Sequence, residues 1–163
     1  MRLAALGLAA VLVLPALAAD RSPTSGWTAN AIVGRWLIAS KDAVIDIHPV
    51  DDEYHGSIAW LLDKTYDADD GPALAGKPLL DHRNPEPALR GRPLLGLPML
   101  KGLRFDGREH WREGRVYSCD DGRTYTVQVS LADADHLKLR GYFGLPLFGM
   151  TSVWTRIDTL PTP

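Results

Sequence analysis

Apolar and polar residues alternate along short stretches of this chain, and turn-forming residues separate the stretches. Tyr125, Val127, Val129 and Leu131 alternate with polar residues, which is the period of two of a strand with one buried face. Asp120-Asp121-Gly122 precedes this run, and Asp-Gly supplies the positive φ of tight hairpins. The pattern predicts strands at about residues 32–39, 43–49, 54–62, 94–104, 110–119, 123–132, 136–143 and 150–158.

Strands at this spacing indicate a β-sandwich or a β-barrel, and the two ends of the pattern favour the barrel. Gly34-Arg35-Trp36 opens the first strand and Trp154-Thr155-Arg156 closes the last. In a closed barrel these strands are neighbours, so the guanidinium of Arg156 can lie on the indole of Trp36. We therefore assign Gly34, Trp36 and Arg156 to barrel closure. The predicted fold is all-β, a single antiparallel up-and-down barrel of about eight strands.

Residues 63–93 break the alternating strand pattern and contain several prolines. A connection of this length is uncommon in a compact domain unless it is functional or disordered. Asn84-Pro85-Glu86-Pro87 suits the start of a helical turn, with Asn84 as its N-cap; the alternative role for Asn84 is to anchor the lid. We expect one short helical turn here, on a lid that crosses one mouth of the barrel.

The N-terminus has the pattern of a cleavable signal peptide. Arg2 is followed by an apolar run from Leu3 to Leu14 and then by Ala16-Leu17-Ala18, an A-x-A cleavage site. The run is too short to span a bilayer, so we expect no stable membrane insertion. The expected organisation is a signal peptide at 1–19, cleaved near Ala18 or Ala19, a linker at 20–31, the barrel at 32–158 and a disordered tail at 159–163. The predicted location is periplasmic or secreted.

Charge and cysteine content exclude some partners and cross-links. The formal net charge of −2 becomes −3 once Arg2 is removed, which argues against nucleic acid as a partner. Cys119 is the only cysteine, so no intramolecular disulfide can form. Because Cys119 lies in an alternating strand, we expect a buried free thiol rather than a reactive one.

Several motifs resemble a family of small exported bacterial proteins that is known as a domain of unknown function. They are Asn84–Pro98, Gly114–Tyr117, Asp121–Tyr125, Leu137–Tyr142 and Trp154–Arg156, and the resemblance extends from about Ile32 to Ile157. It implies a lipocalin-like (calycin-type) barrel, periplasmic or secreted, without established enzymatic activity. Gly34-x-Trp36 is similar to the opening of a lipocalin, and Arg156 to the last-strand arginine that packs over its Trp.

A barrel of eight strands can be filled by its side chains or can hold one small ligand, and both alternatives stay open here. If a cavity exists, an aromatic and aliphatic lining suits a small apolar or amphipathic molecule. Arginines on the lid and at the barrel end could hold an acidic head group. The predicted ligand-binding residues are Trp60, Arg90, Arg92, Trp111, Tyr117, Tyr125, Arg140 and Phe143.

The connection Phe143–Gly149 is apolar, whereas such connections are ordinarily polar. We expect it to pack against Leu94–Leu100 and close one mouth; the alternatives are a membrane surface or a protein partner bound through Phe143–Phe148. The runner-up function is therefore a ligand-free envelope interaction or structural module.

Catalytic chemistry has little support in the sequence, so we expect neither enzymatic activity nor a cofactor. No histidine pair has the spacing of a zinc site, and we predict no metal. No Gly-x-Ser-x-Gly nucleophile motif occurs. The histidines are His48, His55, His82, His110 and His136.

Overall fold

The computed structural model describes residues 26–145, 147 and 149–162. The predicted signal peptide, the first part of the predicted linker, Pro146, Phe148 and Pro163 lie outside the described residues. Eight strands are present: β1 Gly34–Leu37, β2 Ala43–Val50, β3 Glu53–Leu61, β4 Pro98–Phe105, β5 His110–Ser118, β6 Arg123–Leu131, β7 His136–Tyr142 and β8 Met150–Ile157. Short 3₁₀ helices span Ala29–Ile32, Ala68–Asp70 and Pro87–Leu89.

The strands form a closed barrel in sequence order, each antiparallel to its neighbours. β1 closes the barrel against β8, with Trp36 opposite Arg156 and Leu37 opposite Thr155. The predicted all-β up-and-down barrel is confirmed. The alternation that predicted it is also visible in burial, because Val127, Val129 and Leu131 of β6 are buried in the core.

An up-and-down barrel gathers its connections at two ends. The connections that follow odd-numbered strands, residues 38–42, 62–97, 119–122 and 143–149, lie at one end, which we call the open end. The connections 51–52, 106–109 and 132–135 lie at the other, the closed end. We call residues 62–97, between β3 and β4, the lid.

The chain enters the fold earlier than expected. Residues 29–32 form a 3₁₀ helix rather than the end of a linker and the start of a strand. Ile32 is fully buried, and Trp27, Ala29 and Ala31 pack against the core. The polar composition of residues 20–26 concealed this, because the contacts that order the helix come from strands distant in sequence.

The fourth strand begins at Pro98, later than the predicted residue 94. Leu94 and Leu97 belong to the lid and pack into the core from there. The backbone amide of Leu94 donates to the carbonyl of Leu79 at 2.9 Å within the lid. The amide of Gly96 donates to the carbonyl of Ile58 at 2.8 Å, and the carbonyl of Leu97 accepts from the amide of Ile58 at 3.1 Å, so the run 94–97 is bonded to the lid at its start and to β3 at its end.

The connection at the closed end between β4 and β5 is organised by one carboxylate. Asp106 accepts hydrogen bonds from the backbone amides of Arg108, Glu109 and His110 at 3.0 to 3.1 Å. Arg112 adds a bond from its Nε at 3.1 Å. Although desolvation raises the pKa of Asp106, these bonds outweigh it and hold the pKa well below its usual range.

Candidate functional site

A cavity of about 550 Å³ opens at the open end of the barrel. Its wall combines aliphatic side chains from the β1–β2 connection and from β2 to β5, the lid residues Leu79 and Leu94, and the indole of Trp154. A cavity of this size is in the range of small-molecule sites. The lining is Ile38, Ala39, Ser40, Asp42, Ala43, Ile45, Ile58, Leu61, Asp63, Leu79, Leu94, Met99, Val116, Tyr117, Ser118, Cys119, Asp120, Ser152 and Trp154.

The N-terminal 3₁₀ helix, Ala29–Ile32, covers the closed end of the barrel, and we call it the plug. Three aromatic side chains of the barrel interior hold it by hydrogen bonds. Trp111 donates from Nε1 to the carbonyl of Ala29 at 2.8 Å, and Trp36 donates to the carbonyl of Ile32 at 2.8 Å. The hydroxyl of Tyr54 donates to Oδ1 of Asn30 at 2.8 Å. The indole N–H groups and the tyrosine hydroxyl of these aromatic side chains are thus all hydrogen-bonded to the plug.

Arg156 completes this closure. Its Cζ lies 4.2 Å from the centroid of the Trp36 ring. The guanidinium also donates to three backbone carbonyls, those of Ala31 at 2.6 Å, Val33 at 2.9 Å and Ala134 at 2.8 Å. One side chain on the last strand therefore ties together the plug, the first strand and the β6–β7 connection.

The glycine at position 34 follows from this arrangement. Gly34 has a φ of +124°, and a Cβ built on it would lie 3.0 Å from Nη1 of Arg156. Both the backbone conformation and the approach of the guanidinium favour a residue without a side chain.

A buried carboxylate connects the lid to the barrel wall. Asp81 is fully buried and accepts hydrogen bonds from Tyr117 Oη at 2.6 Å, from Asn84 Nδ2 at 2.8 Å and from two nitrogens of Arg92 at 3.0 and 3.1 Å. Desolvation alone would raise the pKa of Asp81, but these bonds outweigh it and lower the pKa. The carboxylate therefore stays ionised, because each hydrogen-bond donor stabilises its charged form.

The same carboxylate affects its neighbours on β5 and just beyond. Burial, reinforced by the hydrogen bond to Asp81, raises the pKa of Tyr117 to about 12. Burial, with Asp81 and Asp120 nearby, raises the pKa of Cys119 to about 11. Both groups are therefore protonated at neutral pH, and the Cys119 thiol, although it lines the cavity, is a poor nucleophile.

A second contact fixes the lid to the β5–β6 turn. Nη1 of Arg83 donates to the carbonyl oxygen of Asp120. Gly122, with a φ of +71°, sits against the lid so closely that a Cβ there would overlap the carbonyl oxygen of Arg83. The lid is thus held at the cavity mouth by polar contacts and by close backbone packing.

Asn84 serves this network and does not cap the helical turn. The turn at Pro87–Leu89 is preceded by Glu86, whose side chain makes no capping bond. Oδ1 of Asn84 accepts from the backbone amide of Glu86 at 2.9 Å, while Nδ2 serves Asp81. The prediction of an N-cap was wrong because the prolines shift the turn by two residues.

Of the eight predicted ligand-binding residues, Tyr117 alone lines the cavity. Trp111 is fully buried at the closed end, where it holds the plug. The hydroxyl of Tyr125 donates to the carboxylate of Asp121 in the β5–β6 turn. Phe143 follows the end of β7 and is 79 % exposed.

Trp60 is buried, but it belongs neither to the main core cluster nor to the cavity lining. The register between β2 and β3 shifts here, so that Ile45 faces Ile58 while Val44 faces Trp60. Ile58 and Leu61 consequently face the interior on either side of the bulge, and Trp60 shares the other face with Val44. A bulge inverts the alternation beyond it, which is why the simple period of two misplaced Trp60.

The three predicted arginines are engaged outside the cavity. Arg92 pairs with Asp81, and Nε of Arg90 donates to the carbonyl of Asn84 at 2.7 Å. Nη1 of Arg140 donates to Oγ1 of Thr151 at 3.1 Å on the barrel surface.

The apolar connection between β7 and β8 does not close the mouth. Phe143, Leu145 and Leu147 are 79 %, 64 % and 80 % exposed, so the expected packing against Leu94–Leu100 was wrong. The lid supplies Leu79 and Leu94 to the cavity wall instead.

Comparison with known proteins identifies the family. The model of a family described as an uncharacterized protein conserved in bacteria (DUF2147) matches residues 34–156. The chain belongs to this family. Its barrel is also similar to protein HP1028 from the human pathogen Helicobacter pylori, which is described as belonging to the lipocalin family: the TM-score is 0.62, the identity is 22 %, and the match covers 77 % of this chain and 82 % of that one. No curated protein matches the chain.

This family assignment and the lipocalin-like barrel agree with the resemblance noted from the sequence. Within the described residues, no group of three or more His, Cys, Asp or Glu side chains is placed to hold a metal ion. No helix in the described part of the chain has the length and apolar character needed to cross a bilayer.

Sequence reasoning missed the residues that define the cavity mouth. Asp81 carried no signal, because an aspartate in a polar loop resembles any solvated turn residue until Tyr117 and Arg92 are placed around it. Ser152 and Trp154 could have been found from the alternation of β8, which points both toward one face.

Proposed function

We propose that this protein is a lipocalin-like binding protein that carries or senses a small apolar or amphipathic molecule in the cavity at its open end. The supporting observation is the cavity of about 550 Å³ with its largely aliphatic wall. Burial of apolar ligand surface in such a wall contributes about 25 cal/mol per Å². The predicted signal peptide supports a periplasmic or secreted location.

The cavity also weighs against a completely filled barrel. The closed end is packed, with Ile47, Leu103, Trp111 and Val129 fully buried. Apolar side chains thus fill the closed end of the barrel, while the lining residues surround an open cavity at the open end. This arrangement suits a barrel that binds a ligand at one end and is packed with side chains at the other.

Native mass spectrometry of protein purified from its own cell envelope tests the proposal. We expect a mass adduct that disappears on denaturation and whose chemical class extraction then identifies. The cavity-filling variant Val116→Trp should lose the adduct, because Val116 lines the cavity. Arg115→Trp, which places the same side chain at the exposed neighbouring position, is the matched control and should retain it.

A clean mass for the wild-type protein, unshifted across a panel of lipids and apolar metabolites, would contradict the proposal. Equal adducts in both tryptophan variants would place the ligand outside the cavity. In the first case the protein-interaction alternative becomes the better account, and in the second the protein binds a small molecule at another site.

That alternative, a protein partner bound through Phe143–Phe148, is favoured by one observation. Phe143, Leu145, Leu147 and Met150 are each at least 64 % exposed within eight residues of the chain, and large contiguous apolar patches on a surface often mark contact sites. A photo-crosslinker at position 145, compared with one at the exposed Lys138 on β7, tests it. A defined product from position 145 alone, lost in Leu147→Ser, would support this second function.

A further inference from the structure

The charged side chains around the cavity all have the same sign. Within the described part of the chain, the lining contains Asp42, Asp63 and Asp120 and no Lys, Arg or His. They come from three separate connections at the open end, before β2, after β3 and after β5. All three are exposed, so they lie at the rim, with the aliphatic wall below them. A ligand that fills the cavity must present its polar end to this rim.

The basic residues nearest in sequence to the rim aspartates do not neutralise their negative charge. Lys41 and Lys64 are adjacent in sequence to two of the aspartates but do not line the cavity. No ion pair within 4.0 Å joins any of the three rim carboxylates to a described basic residue.

The arginines that could have received an anionic head group are already committed. Arg92 is bonded to the buried Asp81 through two nitrogens, and moving it would leave a buried carboxylate short of its cation, which is costly. Arg90 is held by the carbonyl of Asn84. Arg83 is exposed beside Asp120, but its Nη1 is bonded to the backbone carbonyl of that residue and its side chain does not line the cavity. A carboxylate or phosphate at the mouth would therefore face three aspartates and no cation among the lining residues.

Two hydroxyl groups of the lining, those of Tyr117 and Ser40, repeat this preference. The hydroxyl proton of Tyr117 is donated to Asp81, and Oγ of Ser40 donates to Oδ1 of Asp42. What these groups retain for a ligand is acceptor capacity on oxygen. Ser152 differs, because its Oγ accepts from Nε1 of Trp154 at 3.0 Å and its own proton stays available. Around Asp42, Asp63 and Asp120 the polar chemistry is therefore that of a hydrogen-bond acceptor, whereas the wall is apolar.

We propose that the cavity selects an amphipathic ligand whose polar end is a cation or a strong hydrogen-bond donor, such as an alkylammonium, and that it discriminates against long-chain carboxylates. This inference rests on the proposed function, since it specifies the ligand class of the same cavity. The aliphatic wall accommodates the chain, and Asp42, Asp63 and Asp120 attract the head group.

Three probes of equal chain length test the inference: decylammonium, decanol and decanoate. Each is titrated calorimetrically into the purified protein at neutral pH, where the amine is protonated and the acid ionised. We expect decylammonium to bind at least about tenfold more tightly than decanoate, with decanol between them. Added salt should weaken decylammonium binding and leave decanol binding unchanged, because salt screens exposed charges.

Neutralising the rim should remove the preference. Asp42→Asn, Asp63→Asn and Asp120→Asn should each weaken decylammonium binding about two- to fivefold, as for exposed ion pairs, without affecting decanol. The triple variant should abolish most of the discrimination. Asp69→Asn, an exposed lid aspartate outside the lining, is the matched control and should bind like the wild type.

The outcomes separate the inference from the proposed function. Equal or tighter binding of decanoate overturns the inference while leaving the cavity as a binding site. The same follows if decylammonium binds tightly but the triple variant binds it as well as the wild type. Failure of all three probes to bind overturns the inference and, together with a clean native mass, the proposed function as well.

Discussion

Replacing Arg156 by leucine tests whether this residue closes the barrel. The substitution removes three hydrogen bonds to backbone carbonyls and the contact with the Trp36 ring. Each hydrogen bond contributes about 1 kcal/mol net, and a cation on an indole about 0.5 to 2 kcal/mol. Arg156 is half-buried, so water can reach some of the freed carbonyls. We therefore expect a loss of about 2 to 4 kcal/mol in the free energy of unfolding.

The measurement is urea unfolding followed by tryptophan fluorescence, with a thermal melt alongside. For a domain of this size, each kcal/mol lowers Tm by about 3 to 4 °C, so the thermal midpoint should fall by roughly 6 to 16 °C. Arg156→Lys keeps a positive charge but lacks the planar fork that serves several carbonyls at once, and it should recover less than half of the loss.

Arg115→Ala is the matched control, since Arg115 is exposed on β5 and its removal should change stability by less than about 0.5 kcal/mol. If Arg156→Leu is as stable as this control, the reasoning that places the closure on one arginine is refuted. Full recovery in Arg156→Lys would show instead that charge alone matters.

Three further changes address the lid and the closed end. Tyr117→Phe should cost about 1 to 3 kcal/mol, because the buried Asp81 loses a donor, and should speed proteolysis of the lid. Gly122→Ala should lower Tm clearly, because its Cβ would overlap the carbonyl oxygen of Arg83. Asp106→Asn should reduce stability at neutral pH: the lowered folded pKa stabilises the protein above the unfolded value of about 3.9, and this contribution disappears as pH falls toward the folded pKa. Acid titration of wild type and variant should therefore converge.

Two of these changes have a matched control on the same barrel, and the third is checked by its pH dependence. Gly144→Ala also has a positive φ, +78°, but nothing lies within 4 Å of the added methyl group, so it should cost less than Gly122→Ala. Tyr142→Phe should leave lid proteolysis unchanged. A constant stability difference between Asp106→Asn and wild type down to strong acid would contradict the role given to that carboxylate.

The number and order of the strands could be predicted because alternation and turns are local signals. Val127, Val129 and Leu131 read as one face of β6 from sequence alone, and the Trp36 and Arg156 motifs indicated which strands meet. Ile32 was misassigned because a 3₁₀ helix of four residues has no periodicity of its own. Its order comes from tertiary contacts.

The site was less predictable because it depends on pairings across long sequence separations. Arg92 reads as a free cation until Asp81 is placed beside it, and a single bulge removes Trp60 from the interior. The cavity residues Ile58 and Val116 were visible as apolar alternation, but nothing local distinguishes a residue that lines open space from one that fills it.

The closure of the barrel by Arg156 determines when folding can finish. Arg156 binds the carbonyls of Ala31 and Val33, which precede it by 125 and 123 residues. The N-terminal segment of the fold therefore cannot make these contacts until the last strand has been synthesised. Until β8 arrives, β1 and β7 present unpaired edges, which invite pairing between chains. Such long-range contacts also slow folding. We therefore expect the unfinished barrel to be the stage most exposed to aggregation, because the residue that closes it lies so near the end of the sequence.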